Sequence, residues 1–198
     1  MTPFFSGLTR SLIPFVLAST CLVVSCLGAD VKYDYRVLAT SKTSTMEKEI
    51  NQAAAEGYEF QAVMGGETAI GGKEVVIVMG KLLNGPSAKK RYALLATSKT
   101  ATMQKELEQA GDEGFDYKGQ TVFESVMGGR EVSVILERDA EKPSRRIEFL
   151  LVATSKTATL QKELQGAGDS GFRLVGLTIG RTAFGGAETL GILRRDRK

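Results

Sequence analysis

The 198-residue chain has no histidine, no tryptophan and only two cysteines, Cys21 and Cys26. Without histidine, the commonest general base and the commonest metal ligand are missing together, and so is every catalytic triad or dyad built on an imidazole. Both cysteines fall within the N-terminal stretch that ends at Ala29, so the remainder holds no disulfide, no thiol nucleophile and no cysteine metal site. A dominant charge is lacking as well. The 26 basic side chains stand against 23 acidic ones, which leaves no electrostatic footprint for nucleic acid. No cofactor is called for by any of this.

A long apolar run is also absent. The stretch from Leu12 to Val24, broken only by Pro14 and small polar residues, is too short to span a bilayer. Preceded by Arg10, it has the proportions of a secretory signal peptide over residues 1–29. Two endings are open: cleavage after Gly28 or Ala29, or lipidation at Cys26, since Val23-Val24-Ser25-Cys26 resembles a bacterial lipobox. A buried N-terminal helix is the competing reading, but no polar face accompanies the apolar one. The expected location is therefore extracytoplasmic, periplasmic or secreted, with membrane contact only through a lipid on Cys26. Removing this segment takes Arg10 from the 26 basic residues and no acid, leaving 25 against 23 and a net +2.

What is present is repetition. Ala-Thr-Ser-Lys-Thr recurs at Ala39, Ala96 and Ala153, each time followed by a small residue, Thr, an apolar residue, Glu or Gln, Lys, Glu and an apolar residue. The interval from 39 to 96 equals that from 96 to 153, a period of 57, which makes the chain a tandem triplication with units at 30–83, 88–139 and 146–196. A lone unit of that size buries only about 60% of its unfolded surface, so neighbouring units should pack into one cooperative body.

Each unit reads β-α-β-β, an α+β fold. Tyr35 to Ala39, Tyr92 to Ala96 and Phe149 to Ala153 are strand formers, and their near-continuous apolar character predicts a first strand covered on both faces. A helical stripe follows at Met46, Ile50, Ala53 and Ala54, then Met103, Leu107, Ala110 and Gly111, then Leu160, Leu164, Ala167 and Gly168. Thr43, Thr100 and Thr157 are the expected N-caps, and Ser44 with Glu47 offers a capping box in the first unit alone. Gly57, Gly114 and Gly171 should end the helices in a left-handed turn, with Tyr58, Phe115 or Phe172 packing back on the helix end. Two more strands follow, joined by hairpins at Gly71-Gly72, Gly128-Gly129 and Gly185-Gly186. Gly65 and Gly66, and Gly119, Gly176 and Gly180, predict a bulge in the second strand.

A right-handed crossover makes the second strand parallel to the first, and the third then slots between them in the order 1-3-2. Strand three on the outside is the alternative. Helices cover one face of the sheet. The units join either as one continuous sheet or around a pseudo-threefold axis, the closed form being preferred because it hides edge strands.

With its aromatic opening strand, its helix centred on Leu or Ile, and Glu56-Gly57-Tyr58-Glu59-Phe60 at the helix-to-strand junction, the unit resembles the small bacterial domain of unknown function 4177. The resemblance implies a βαββ unit in which an acid, a glycine and an aromatic mark that junction. Glu113-Gly114-Phe115 keeps the pattern, whereas Ser170-Gly171-Phe172 lacks the acid, and the tryptophan usual in the family is missing here. No activity comes with the resemblance.

Chemistry concentrates at the repeated strand-to-helix junction. Packing preserves apolar character, yet here Ser41, Lys42 and Thr43, Ser98, Lys99 and Thr100, and Ser155, Lys156 and Thr157 are identical between copies. Hydroxyls, an ammonium and free amides at a helix N-terminus form an anion site for phosphate, sulfate, carboxylate or an acidic partner. The bland alternative is a capping threonine, a turn-forming serine and a solvated lysine in a recent duplication. Ser41-Lys42 is poorly placed as a nucleophile and base, because neighbours on an extended strand point to opposite faces. The glycines of a phosphate-binding loop are missing. Glu74, Glu131 and Glu188 recur after the hairpins, either paired with a Lys or Arg of a neighbouring unit or solvated on an edge, and Arg194 to Lys198 reads as a frayed basic end or a contact for an acidic polymer or headgroup. These features predict a non-catalytic extracytoplasmic interaction or structural protein of a bacterium, partnered by an envelope protein or polymer. The alternative is a small-molecule or anion-binding protein.

Overall fold

The computed structural model describes residues 31–67, 73–86, 89–124, 130–142, 145–181 and 186–197. The expected signal peptide with Cys26, the glycine pairs Gly71-Gly72 and Gly128-Gly129, Gly185 and Lys198 lie outside the described residues.

Three βαββ units follow one another: β1 Tyr33–Thr40, α1 Thr43–Ala55, β2 Glu59–Glu67 and β3 Lys73–Leu82; β4 Lys90–Thr97, α2 Thr100–Asp112, β5 Asp116–Glu124 and β6 Arg130–Asp139; β7 Ile147–Thr154, α3 Thr157–Asp169, β8 Arg173–Arg181 and β9 Ala187–Asp196. Each forms its own three-stranded sheet, ordered β1-β3-β2, β4-β6-β5 and β7-β9-β8, with every pairing antiparallel. Of the two orders the sequence leaves open, each unit adopts 1-3-2, with the third strand between the other two. All helices end as their glycines require: Gly57, Gly114 and Gly171 have φ of 90°, 80° and 83°. The next amide reaches back five residues, from Tyr58 to Ala53 O, Phe115 to Ala110 O and Phe172 to Ala167 O, which is the Schellman pattern.

Some expectations are corrected. The first strand is not covered on both faces in every unit: β1, β4 and β7 each lie at a sheet edge, and Tyr35 and Val37 of β1 are exposed. Cover on the second face is present for β4, from α1, and for β7, from α2, each the helix of the preceding unit. The N-caps are Lys42, Lys99 and Lys156, in extended conformation and with no side-chain capping bond. No capping box forms at Ser44, since Glu47 Oε2 accepts from Leu94 N of β4 instead, at 3.2 Å. In the first unit the bulge lies between Phe60 and Ala62 rather than at Gly65 and Gly66, at the same repeat position as those before Gly119 and Gly176. These two glycines serve close approach. A Cβ on Gly119 would come within 3.0 Å of Phe60 and 3.2 Å of Val63 of β2, and one on Gly176 within 2.6 Å of the Tyr117 hydroxyl and 2.7 Å of Gln120 Oε1 of β5.

The units neither merge into one sheet nor close around an axis; they stack in a row. Register assigns Tyr92, Leu94 and Ile135 to one face of the second sheet and Val134 and Leu136 to the other. The first group completes the core of unit one, with Met46 and Ile50 of α1 and Val75, Ile77 and Met79 of β3. The second stays with its own helix, Met103 and Leu107, and that core is completed by Ile147, Phe149 and Ile192 of unit three. Each of α1 and α2 is therefore wedged between the inner face of its own sheet and the outer face of the next. Among the described residues no further sheet covers the third core. Its buried members are only Val152, Ala167 and Leu193, and Leu160 and Leu164 are half-buried.

Polar groups fix this stacking. Asn51 of α1 clamps the edge of β4, donating to Tyr92 O at 2.9 Å and accepting from Tyr92 N at 3.0 Å. Gln104 of α2 does the same to β7, donating to Phe149 O at 3.1 Å and accepting from Leu151 N at 2.7 Å. Between units one and two the buried Tyr92 hydroxyl accepts from Phe60 N and donates to Glu137. Burial, with the Glu137 carboxylate adding to it, pushes the Tyr92 phenol far above its usual range, so the hydroxyl stays protonated as a donor.

Candidate functional site

The three junctions share one local structure. Thr40, Thr97 and Thr154, the last residues of their strands, accept through Oγ1 from the amides of Lys42, Lys99 and Lys156 at 3.2, 3.1 and 3.2 Å. This hydroxyl turn holds each lysine extended and starts the helix at the following threonine, which explains why Thr43, Thr100 and Thr157 occupy the first helical position and not the cap. Ser41 is half-buried, and Ser98 and Ser155 are exposed. Lys42, Lys99 and Lys156 are exposed and make no ion pair among the described residues. The nine residues thus form three separate groups, one per repeat.

The second junction is already engaged. Thr100 Oγ1 donates to Glu188 Oε1 of unit three at 3.1 Å, so a carboxylate of the chain itself sits beside the positive end of α2. The recess there, lined by Ser98, Lys99, Thr100, Glu131 and Glu188 among others, holds about 20 Å³. That is room for about one water, and two carboxylates face it. Glu188 does meet a neighbouring unit, but through a threonine hydroxyl and not the Lys or Arg expected from the sequence. Thr157, at the same position in the third unit, is exposed.

Sequence reasoning missed a cluster at the opposite ends of the helices. Lys81, Arg138 and Arg195 occupy the same position in successive repeats and donate to the carbonyls of Glu56, Glu113 and Ser170 at 2.8, 2.9 and 2.7 Å. The same cations lie over Tyr58, Phe115 and Phe172, at 5.8, 4.7 and 4.3 Å from the ring centroids. In unit one Arg36 also stands over Tyr58 at 4.2 Å, and its bond to Glu56 holds that carboxyl below its ordinary value. A cation at a constant offset from the helix-ending acid or serine, the same in all three repeats, was the available signal. These groups close the helix C-termini and neutralise their dipoles, a structural task.

The basic end is likewise folded, not frayed. Arg194 and Arg195 belong to β9; Arg194 is buried and pairs with Asp116 at 3.1 Å, Arg195 pairs with Glu148 at 2.9 Å, and Arg197 meets Asp112 at 2.5 Å. The cleft beside them, about 580 Å³, therefore has most of its guanidiniums occupied. No group of three acids that could hold a metal occurs among the described residues.

Exposed large hydrophobic side chains of the described residues fall in the first and third units. Among the described residues the exposed large hydrophobics are Val31, Tyr33, Tyr35, Val37, Met64 and Leu83 of unit one and Leu174, Leu177 and Ile179 of unit three. Unit two, covered on both sides, contributes none. No protein-family model matches the chain, and neither a curated protein nor a solved structure matches it.

Proposed function

We propose that the chain is a non-catalytic extracytoplasmic interaction module of a bacterium that works through the two ends of its stack. The observation carrying this reading is the exposed apolar surface at those ends, Tyr35, Val37 and Met64 on one and Leu174, Leu177 and Ile179 on the other, in a chain without histidine. Clustered exposed apolar side chains mark a surface that is covered when the protein works. The leader over residues 1–29, with or without a lipid on Cys26, delivers it to the envelope, where a protein or polymer is the partner class.

A photoreactive side chain placed at position 37 or 177 in living cells should give cross-linked adducts. One at Lys105, exposed on α2, should not. Absence of adducts from both ends would overturn the reading.

Anion binding at the junctions is the second reading, supported by the exposed, unpaired Lys42, Lys99 and Lys156 and opposed at the second junction by Glu188. Binding stabilises by mass action. Triple substitution of these lysines by alanine should leave the phosphate and sulfate dependence of the melting temperature unchanged; a response lost with the lysines would establish the anion site instead.

A further inference from the structure

We propose that the protein associates head to tail with further copies of itself, the outer face of the first sheet of one copy docking on α3 and the inner face of the third sheet of the next. The inference rests on the interaction-module reading and names its partner. It follows from an interface that the chain already makes twice, once between units one and two and once between units two and three.

The apolar parts correspond position by position. In β4, Tyr92 and Leu94 are 1% and 9% exposed because α1 covers them; in β1 their counterparts Tyr35 and Val37 are 61% and 64% exposed. Register places Tyr35 opposite Gly80 as Tyr92 is opposite Glu137, so the same strand edge faces outward in both. On the other side, Ile50 and Leu107 are fully buried beneath the next sheet, whereas Leu164 is half-buried. Where β2 meets β5, Phe60 and Val63 rest on Gly119, and where β5 meets β8, Tyr117 and Gln120 rest on Gly176. Their counterparts in unit three are Leu174 and Leu177, both exposed, and the counterpart of the receiving glycine is the small, exposed Ala62 of unit one.

The polar parts correspond as well. Gln161, at the position of Glu47 and Gln104, is exposed and free to clamp Tyr35 O and Val37 N as Gln104 clamps Phe149 O and Leu151 N. Thr157 is exposed where Thr100 meets Glu188, and Glu74 is the matching carboxylate at the other end of the row. Helix, strand edge, small-residue seat and hydroxyl–carboxylate pair are therefore divided between the two ends in complementary halves. Because the surfaces differ, the contact is heterologous and yields a chain of copies or a ring rather than a twofold dimer. It also covers the free edge of β1, otherwise a template for indiscriminate strand pairing.

Light scattering of the purified protein over a concentration series should show mass rising in whole protomers. Val37→Lys blocks one end and Leu177→Lys the other. Each variant alone should remain monomeric with a melting temperature close to that of wild type, since substitutions at exposed positions perturb stability little. Mixed in equal amounts, they should form a species of two protomers and nothing larger, because one open tail meets one open head. Tyr35→Lys with Leu174→Lys provides a second pair should either first variant fold poorly. A wild type that stays monomeric throughout, or a mixture that does not pair, overturns the proposal. If the in-cell cross-links at positions 37 and 177 then still form, to something other than this chain, the interaction-module reading survives alone.

Discussion

Leu107→Ala will destabilise the protein by about 2–5 kcal/mol, while Leu164→Ala, the same substitution one repeat later, will cost well under half as much. Both leucines lie at the centre of the apolar stripe of their helix, and the sequence alone gives no reason to separate them. Leu107 is fully buried, between the inner face of its own sheet and Ile147, Phe149 and Ile192 of the following unit. Removing three carbons there leaves a cavity walled on two sides by sheets that are themselves tied down, so little relaxation is available. Leu164 touches only its own unit and is half in solvent, so its truncation loses fewer contacts and leaves a hollow that water fills. Denaturant unfolding of the two variants under conditions where the protein is monomeric measures the difference. Equal costs would mean that α3 is as well covered as α2.

Gly111→Ala and Gly168→Ala should change stability in opposite directions. Alanine in a helix interior is favoured over glycine by about 1 kcal/mol, and on that ground alone both variants would be stabilised. At Gly111 a Cβ would lie 2.1 Å from the Ile147 carbonyl oxygen and 3.1 Å from its carbon, which is backbone that cannot rotate aside. Helix α2 and strand β7 must then move apart, opening the core they share, and we expect a net loss of about 1–3 kcal/mol, with the third unit loosened first. At Gly168 nothing lies within 4 Å of the added carbon, so the propensity gain of about 1 kcal/mol should appear in full. Thermal unfolding of the monomer reads both. A stabilised Gly111→Ala would show that the helix-to-next-strand contact is looser than the geometry makes it.

The repeat period carried most of the fold. It set the element order, and the crossover rule then left two strand orders, of which 1-3-2 is the one found. The stripes Met46, Ile50, Ala53, Ala54 and Met103, Leu107, Ala110, Gly111 are the very residues buried in α1 and α2. In α3 only Ala167 is buried, because among the described residues no second sheet lies against it. Local pattern reports which side of a helix is apolar; it does not report what lies against that side. The same limit explains the first strands. Two-sided cover is realised for β4 and β7, where the second cover is the helix of the preceding unit, and not for β1, whose Tyr35 and Val37 are exposed.

The junctions show how identity between copies can have a local cause. Thr40, Thr97 and Thr154 make the turn, and this moves the cap from threonine to lysine. Glu47 and Gln104 belong to the repeated pattern, yet their role as strand-edge clamps depends on a partner 47 residues away in each case. No spacing within a single unit could reveal it. Nor could a single unit show that its recurrent glutamate answers the helix of the unit before, as Glu188 answers Thr100.

The central claim is that each helix is finished by the sheet that follows it and that the last helix is left unfinished. Amide hydrogen exchange of the dilute monomer, resolved helix by helix, tests this most directly, since opening energies follow local burial. The amides of α1 and α2 should exchange only with global unfolding, and those of α3 through a lower-energy opening of their own. Uniform protection across α1, α2 and α3 would contradict it.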